Sequence, residues 1–366
     1  MSFKCGIIGL PNVGKSTLFN ALTRTNSAQA ENYPFCTIEP NTGEVTVPDI
    51  RLDEISKIAS SKKIIPTQIS FIDIAGLVRG SSKGQGLGNQ FLSNIREVDA
   101  IIHVLRCFED NNITHVEGKV NPINDVDTIE TELMLADLES LEGQIKQISK
   151  KVNRKNEEEM SILPIMEKAM DCLNKGKPAR LIAKKSSSDD LKRLKRLNLL
   201  TANPVLYVCN VLERDAINGN ENSRKIKAIA EGQKTESITL SATLEEELAQ
   251  LSKKEQHEFL EMIGLEESGI DRLIRAGYKL LSLITYFTAG PKETRAWTVV
   301  SGTKAPEAAG VIHTDFKRGF IRAQTIAFND YIFLGGEGPS KEAGKTRDEG
   351  KEYIVKDGDI ILFKFS

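Results

Sequence analysis

Residues 3–17 read FKCGIIGLPNVGKST, and the organisation of the chain follows from them. A short apolar run (Phe3, Cys5, Ile7, Ile8) enters Gly9-x-x-x-x-Gly14-Lys15-Ser16, and Leu18, Phe19 and Leu22 follow at helical spacing. Strand, glycine-rich loop and helix N-terminus in that order are the context a phosphate-binding loop requires. Gly9 and Gly14 let the backbone turn with its N–H groups facing the phosphates. The helix beginning near Lys15 adds its positive dipole end. Gly9, Asn12, Val13, Gly14, Lys15, Ser16 and Thr17 are therefore the candidate nucleotide contacts. Lys15 supplies a point charge to the outer phosphates. The Ser16 hydroxyl suits magnesium, which prefers hard oxygen ligands and takes few from protein.

Around this loop the composition is that of an ordinary globular protein large enough for two or three domains: 366 residues, 40% hydrophobic and 27% charged, with a net charge of −2. That charge excludes a protein that coats nucleic acid with its whole surface and leaves room for a local basic patch. Five scattered cysteines (Cys5, Cys36, Cys107, Cys172, Cys209) without a CxxC pair read as buried, reduced thiols. With the phosphate loop starting so near residue 1, no signal peptide is expected, and no apolar stretch is long enough to span a bilayer.

Downstream, Tyr33-Pro34-Phe35-Cys36-Thr37-Ile38-Glu39-Pro40 is held extended by its two prolines. Nucleotide switches place a threonine in such a loop, with its hydroxyl on magnesium, and Thr37 is the candidate. Residues 69–72 form an apolar run ending in Asp73-Ile74-Ala75-Gly76. Asp73 is placed to hold a magnesium-bound water, and Gly76 to offer its N–H to the terminal phosphate. Residues 100–107 (AIIHVLRC) read as a buried strand in which His103 is a packed core residue. The polar segment 110–122 follows a strand end; His115 within it either reaches a bound nucleotide or is an exposed histidine without a role.

From about residue 127 to 200 the pattern becomes helical. Leu138, Leu141, Ile145, Ile148 and Val152 are spaced three and four apart, as are Ile162, Met166, Ala169 and Leu173, with a polar break over 153–159. This predicts two antiparallel helices packed as a short coiled coil. Residues 175–196 carry nine basic and two acidic side chains, either a solvated arm or a projection toward a large anionic partner.

Residues 204–209 (PVLYVC) return to buried-strand composition and end in Asn210-Val211-Leu212-Glu213; residues 237–240 precede Ser241-Ala242-Thr243. Guanine-binding enzymes of this class end the first strand in N-K-x-D and follow the second with S-A. The aspartate accepts two hydrogen bonds from guanine. Here that position is Glu213, one methylene longer, and Val211 replaces the lysine that would cover the base. A misplaced bidentate pair forfeits most of the discrimination. Guanine selectivity is expected to be poor, with adenine read by the Asn210 side chain and backbone groups near Val211. After a helical stretch over 245–283, strands at 283–287, 295–300, 320–325 and 360–365 and a short helix at 306–312 suggest a small mixed sheet grasping one helix.

Taken together, GLPNVGKST (9–17), YPFCTIEPN (33–41), DIAGLVRGSSKGQGLGNQFL (73–92), HVEGKVNP (115–122), NVLE (210–213), RAWTV (295–299) and AAGVIHTDFKRGFIRA (308–323) resemble the Obg-related YchF family, the Obg-like ATPases, over essentially the full chain. The resemblance implies an α/β architecture: a Ras-like P-loop nucleotide domain (1–126 and 201–281), a helical coiled-coil insertion (127–200) and a C-terminal β-grasp, ubiquitin-like TGS domain (282–366). It also implies ATP over GTP, magnesium, and association with the ribosome or its large subunit through rRNA or ribosomal protein. The expected setting is cytoplasmic, without a DNA or membrane partner. Leu77 stands where Ras-type enzymes place a water-orienting glutamine. The resemblance implies that the loop histidine, His115, substitutes for it, and that Asn12 coordinates potassium. Ser241 and Ala242 complete the expected base contacts. Two alternatives stand beside this expectation: a GTPase of ordinary specificity, and a ribosome- or RNA-binding adaptor whose nucleotide is structural.

Overall fold

The computed structural model describes residues 3–30, 41–75, 87–110, 113–114, 118–151, 157–183 and 187–366. The chain opens with β1 (Lys4–Ile8) and α1 (Lys15–Ala30), continues through β2 (Thr42–Thr46), α2 (Ile50–Ala59) and β3 (Lys63–Ile65), and reaches β4 (Gln68–Asp73), α3 (Leu87–Arg96) and β5 (Ala100–Arg106). Two long helices follow, α4 (Pro122–Lys151) and α5 (Glu157–Asn174), then the short α6 (Arg180–Ala183) and α7 (Ser188–Arg196). The chain resumes with β6 (Val205–Asn210), α8 (Glu221–Gly232), β7 (Ser237–Leu240), α9 (Ala242–Leu248), α10 (Lys253–Ile263) and α11 (Gly269–Leu280). It ends with β8 (Leu283–Thr288), β9 (Glu293–Val300), α12 (Ala305–Ile312), α13 (Thr314–Arg318), β10 (Phe320–Ala327), α14 (Phe328–Leu334), α15 (Glu337–Glu342), β11 (Arg347–Glu349) and β12 (Asp359–Phe365). Among the described residues no helix is long and apolar enough to cross a membrane.

Two compact units emerge: residues 3–43 with 70–273, and residues 44–69 with 274–366. The first is built on a six-stranded sheet in the order β2-β4-β1-β5-β6-β7. Its pairings β4–β1, β1–β5, β5–β6 and β6–β7 are all parallel. Parallel strands covered on both faces must be apolar throughout, and β5 and β6 are buried at every position. This is why both were legible as continuous apolar runs. The surrounding helices begin on polar caps: Asn220 and Ser223 form a capping box on α8, and Ser252 and Glu255 another on α10, which Gly264 ends in the left-handed conformation.

The expected helical pair is α4 and α5. Leu141, Met166, Ala169 and Leu173 are buried between them with Ile165, and Leu194, Leu197 and Leu199 close the same core from α7 and the segment after it. At about 1.5 Å per residue, α4 runs about 45 Å. It begins at Pro122, five residues before the expected boundary, and carries Asp137, which accepts from the N–H groups of Leu200 (2.7 Å) and Thr201 (2.8 Å). Glu130 of α4 and Arg180 of α6 form a buried ion pair that Tyr207 of β6 joins through its hydroxyl at 3.1 Å. This pair fastens the root of the insertion to the sheet.

In the second unit the strand order is β11-β10-β12-β8-β9-β3. The β8–β9 hairpin is antiparallel, β12 lies parallel beside β8, and β10 pairs antiparallel with β12. Ala305, Ala308 and Ala309 of α12 pack on Tyr286, Val299, Ala323, Ile361 and Phe363 across one face. Small alanines let the helix sit close to the sheet, which is a β-grasp. The segment 44–69 departs from the sequence expectation, which assigned it to the nucleotide domain. Leu52 and Ile55 of α2 pack with Phe287, Ala296, Ile326, Tyr331 and Ile360 on the other face, and β3 extends the sheet in register Lys63↔Glu293.

Candidate functional site

The loop between β1 and α1 lies at the carboxyl end of the parallel sheet, where ligands of open α/β folds bind. The Leu18 N–H donates to the Gly14 carbonyl at 3.0 Å and starts the helical ladder. Gly9 is required by close packing: a Cβ there would lie 2.7 Å from the Val104 carbonyl oxygen and 2.9 Å from Val13 Cγ2. Gly14 is required twice, because its φ is +91° and because a Cβ would collide with the Asn210 amide. Asn12, also left-handed at φ 64°, donates through Nδ2 to the Thr114 carbonyl at 3.1 Å.

Lys15 and Asp73 meet in a direct ion pair, their side chains 11% and 16% exposed. The two residues assigned from sequence to the outer phosphates and to the metal are thus brought together from α1 and the end of β4. Ser16 is exposed and Thr17 half-buried beside them. Two further candidates, Thr37 and Gly76, lie outside the described residues, as do Leu77 and His115.

On the base side, Asn210 is 4% exposed and bridges two elements. Its Nδ2 donates to the Val13 carbonyl and its Oδ1 accepts from the Ala242 N–H, both at 2.9 Å. The sequence reading gave this side chain to the base; the fold uses it first as a strut between the phosphate loop and the turn after β7, leaving one N–H over. Val211 is buried and donates its N–H to Leu240 at 2.9 Å, so it packs inward. Glu213 is exposed at the start of a 3-10 turn, Glu213–Asp215. Ser241 is buried and caps α9 by accepting from the Leu244 N–H at 3.4 Å.

Sequence reasoning missed Arg106, the last residue of β5, which is 1% exposed and bonded to three backbone carbonyls. It also missed Asn220, whose Nδ2 donates to the Cys107 carbonyl at 2.7 Å. Arg106 carries no motif signal, since its partners are main-chain atoms, and the capping pattern of Asn220 with Ser223 signals a helix start and not this contact. His103 is packed as expected: it lies 5.8 Å from the Tyr207 ring, and burial, aided by the Arg180 charge, pushes its pKa down to about 3.

Comparison with known proteins agrees with this architecture. Residues 283–366 match the family YchF-GTPase_C, described as a protein of unknown function (DUF933), and residues 4–168 match a family described as a 50S ribosome-binding GTPase. The chain is 52% identical to the Ribosome-binding ATPase YchF of Bacillus subtilis and 52% identical to that of Haemophilus influenzae, covering 100% of each protein and of itself. It superposes on the solved structure of the Schizosaccharomyces pombe YchF GTPase with a TM-score of 0.88 at 38% identity, over 99% of this chain and 98% of that one. Relatives of this identity, matched from end to end and sharing both compact units, establish that the chain belongs to the YchF family.

Proposed function

We propose that the chain is a magnesium-dependent ATPase that associates with the ribosome in the cytoplasm, with a base site that does not insist on guanine. The observation that carries the reading is the Lys15–Asp73 pair beside the phosphate loop. An ammonium and a carboxylate held together there are the two charges that a nucleotide triphosphate and its metal separate. Lys15 exchanges its carboxylate partner for the β- and γ-phosphates. Asp73, released from that pair, would be a hard oxygen acceptor available to help hold magnesium.

The donor set fits magnesium: Ser16 offers a hydroxyl and Asp73 a carboxylate, with Thr37 as the further hydroxyl, all hard oxygens. Magnesium, when bound, neutralises charge on the β- and γ-phosphate oxygens. The chain's own residues do the rest. Lys15 and the loop N–H groups, with that of Gly76, stabilise charge developing at the γ-phosphate as water attacks in line. Leu77 has no group to orient that water, and His115 takes the role. His115→Ala is expected to slow ATP turnover with unchanged nucleotide affinity; equal turnover removes the histidine from the mechanism. Asn12 is the candidate potassium ligand, and equal rates in sodium and potassium buffers would dismiss it.

The Bacillus and Haemophilus relatives are named ATPases, whereas the fission-yeast structure is named a GTPase. The base therefore rests on this chain's residues. Glu213 is one methylene too long for the paired hydrogen bonds of guanine, and Val211 is buried where a lysine stem would cover the ring. In a turnover assay with labelled ATP, unlabelled GTP is expected to compete no better than unlabelled ATP; stronger competition by GTP reverses the assignment.

For the ribosome, the exposed Lys192, Lys195 and Arg196 of α7 are the candidate phosphate contacts. Co-sedimentation with the large subunit is expected to weaken steeply between 50 and 200 mM salt, roughly the range over which counterion release acts. Binding indifferent to salt would exclude the basic arm.

A further inference from the structure

Arg106 ends the buried strand β5 and is 1% exposed. Among the described residues no carboxylate pairs with it. A guanidinium buried without a counter-ion is tolerated only when its donors are taken up. Here Nε donates to the Phe108 carbonyl at 3.1 Å, Nη1 to that of Ile113 at 2.9 Å and Nη2 to that of Asp110 at 3.2 Å. The guanidinium also lies 4.8 Å from the centre of the Phe108 ring. One side chain thus gathers three carbonyls of the turn that follows β5.

Both ends of that turn are bonded to groups that hold the phosphate loop. At its start, the Cys107 N–H donates to the Asn210 carbonyl at 2.8 Å, and the Asn210 amide holds the Val13 carbonyl. At its end, the Thr114 carbonyl receives the Asn12 amide at 3.1 Å. Asn12 and Val13 are adjacent in the phosphate loop, and Asn12 is left-handed at φ 64°, a conformation that its surroundings must hold in place.

We propose that Arg106 is a positioning residue for the phosphate loop: it fixes the carbonyls of Phe108, Asp110 and Ile113, and through Thr114, next to Ile113, it fixes Asn12 in its left-handed conformation. Arg106 touches no nucleotide group itself. A lysine cannot replace it, because its donors radiate from one atom and do not span three carbonyls around a planar fork.

The test is a double-mutant cycle on kcat/KM for ATP, with Arg106→Lys, Asn12→Ala and the pair. Arg106→Lys is expected to lower kcat/KM about tenfold, and the double variant to fall no further than the lower single one, because both break the same connection. Losses that multiply, or an Arg106→Lys enzyme with parental kcat/KM, overturn the proposal. If Arg106→Lys does not fold, Arg106→Gln, neutral and smaller, enters the same cycle and is read by the same two outcomes. The proposal rests on the ATPase reading only for that assay. Amide hydrogen exchange over residues 10–16 without nucleotide reads it separately: faster exchange is expected in both single variants, and unchanged exchange in the Arg106 variant defeats it even where turnover is lost.

Discussion

The phosphate side and the base side of the nucleotide site commit their side chains in opposite ways. Lys15 and Asp73 are mostly buried and paired with each other, and Gly9, Asn12 and Gly14 between β1 and α1 are constrained by packing or backbone angle. Glu213 stands exposed, Val211 is buried, and Asn210 spends its oxygen and one N–H within the chain. A phosphate is the same in every nucleotide, so its cradle can be built rigidly from backbone and two charges. A base is recognised by a few polar pairs, and on the proposed reading Glu213 is one methylene too long to make the pair that singles out guanine.

The largest effect is expected from breaking the rigid side. Lys15→Ala removes the positive charge that the phosphate loop offers the outer phosphates, and steady-state ATP hydrolysis should fall about a hundred- to thousandfold. Gly14→Ala attacks the same side through the backbone. A side chain at φ +91° strains the loop and displaces the Asn210 amide, at a cost of about 1–3 kcal/mol. Nucleotide affinity should drop at least tenfold for ATP and GTP alike, measured by equilibrium titration. A loss confined to one base would show that the two sides are not separable.

The base side is sharpened by Glu213→Asp, which shortens the carboxylate at an exposed position and leaves the melting temperature unchanged. The GTP-to-ATP affinity ratio should rise about tenfold, the worth of a restored charged hydrogen bond. An unchanged ratio would mean that the carboxylate does not face the base.

The smallest effect on nucleotide handling should come from His103, which lies on β5 beneath both sides and faces Tyr207 and Arg180. The folded protein holds it neutral down to about pH 3, while the unfolded chain takes up its proton near pH 6.5. Between these values the unfolded state binds more protons, so acid favours unfolding. This site alone should reduce stability by about 1.4 kcal/mol for each pH unit below 6.5. Denaturant melts of His103→Phe should show a shallower loss of stability over that range, with ATP-to-GTP selectivity unaltered.

The parallel strands were legible in the sequence because complete burial makes them continuous apolar runs, and the phosphate loop because its geometry demands glycine at two fixed positions. The helical pair was legible by its spacing. The segment 44–69 was not: β3 is three residues long, with Lys63 and Ile64 exposed, and its place is set by pairing with Glu293 and Arg295 far along the chain. Arg106 was equally hidden. An arginine closing an apolar strand looks like the start of a loop, and the carbonyls it gathers belong to no residue type. The strut role of Asn210 was masked by its motif, which suggested the base alone.

The most direct test of the central claim is calorimetric titration of the nucleotide-free protein with ATP and with GTP in magnesium buffer. ATP binding at least as tightly as GTP is the predicted result. Tight GTP binding with no detectable heat from ATP would contradict it, and would mean that Glu213 reads guanine despite its length.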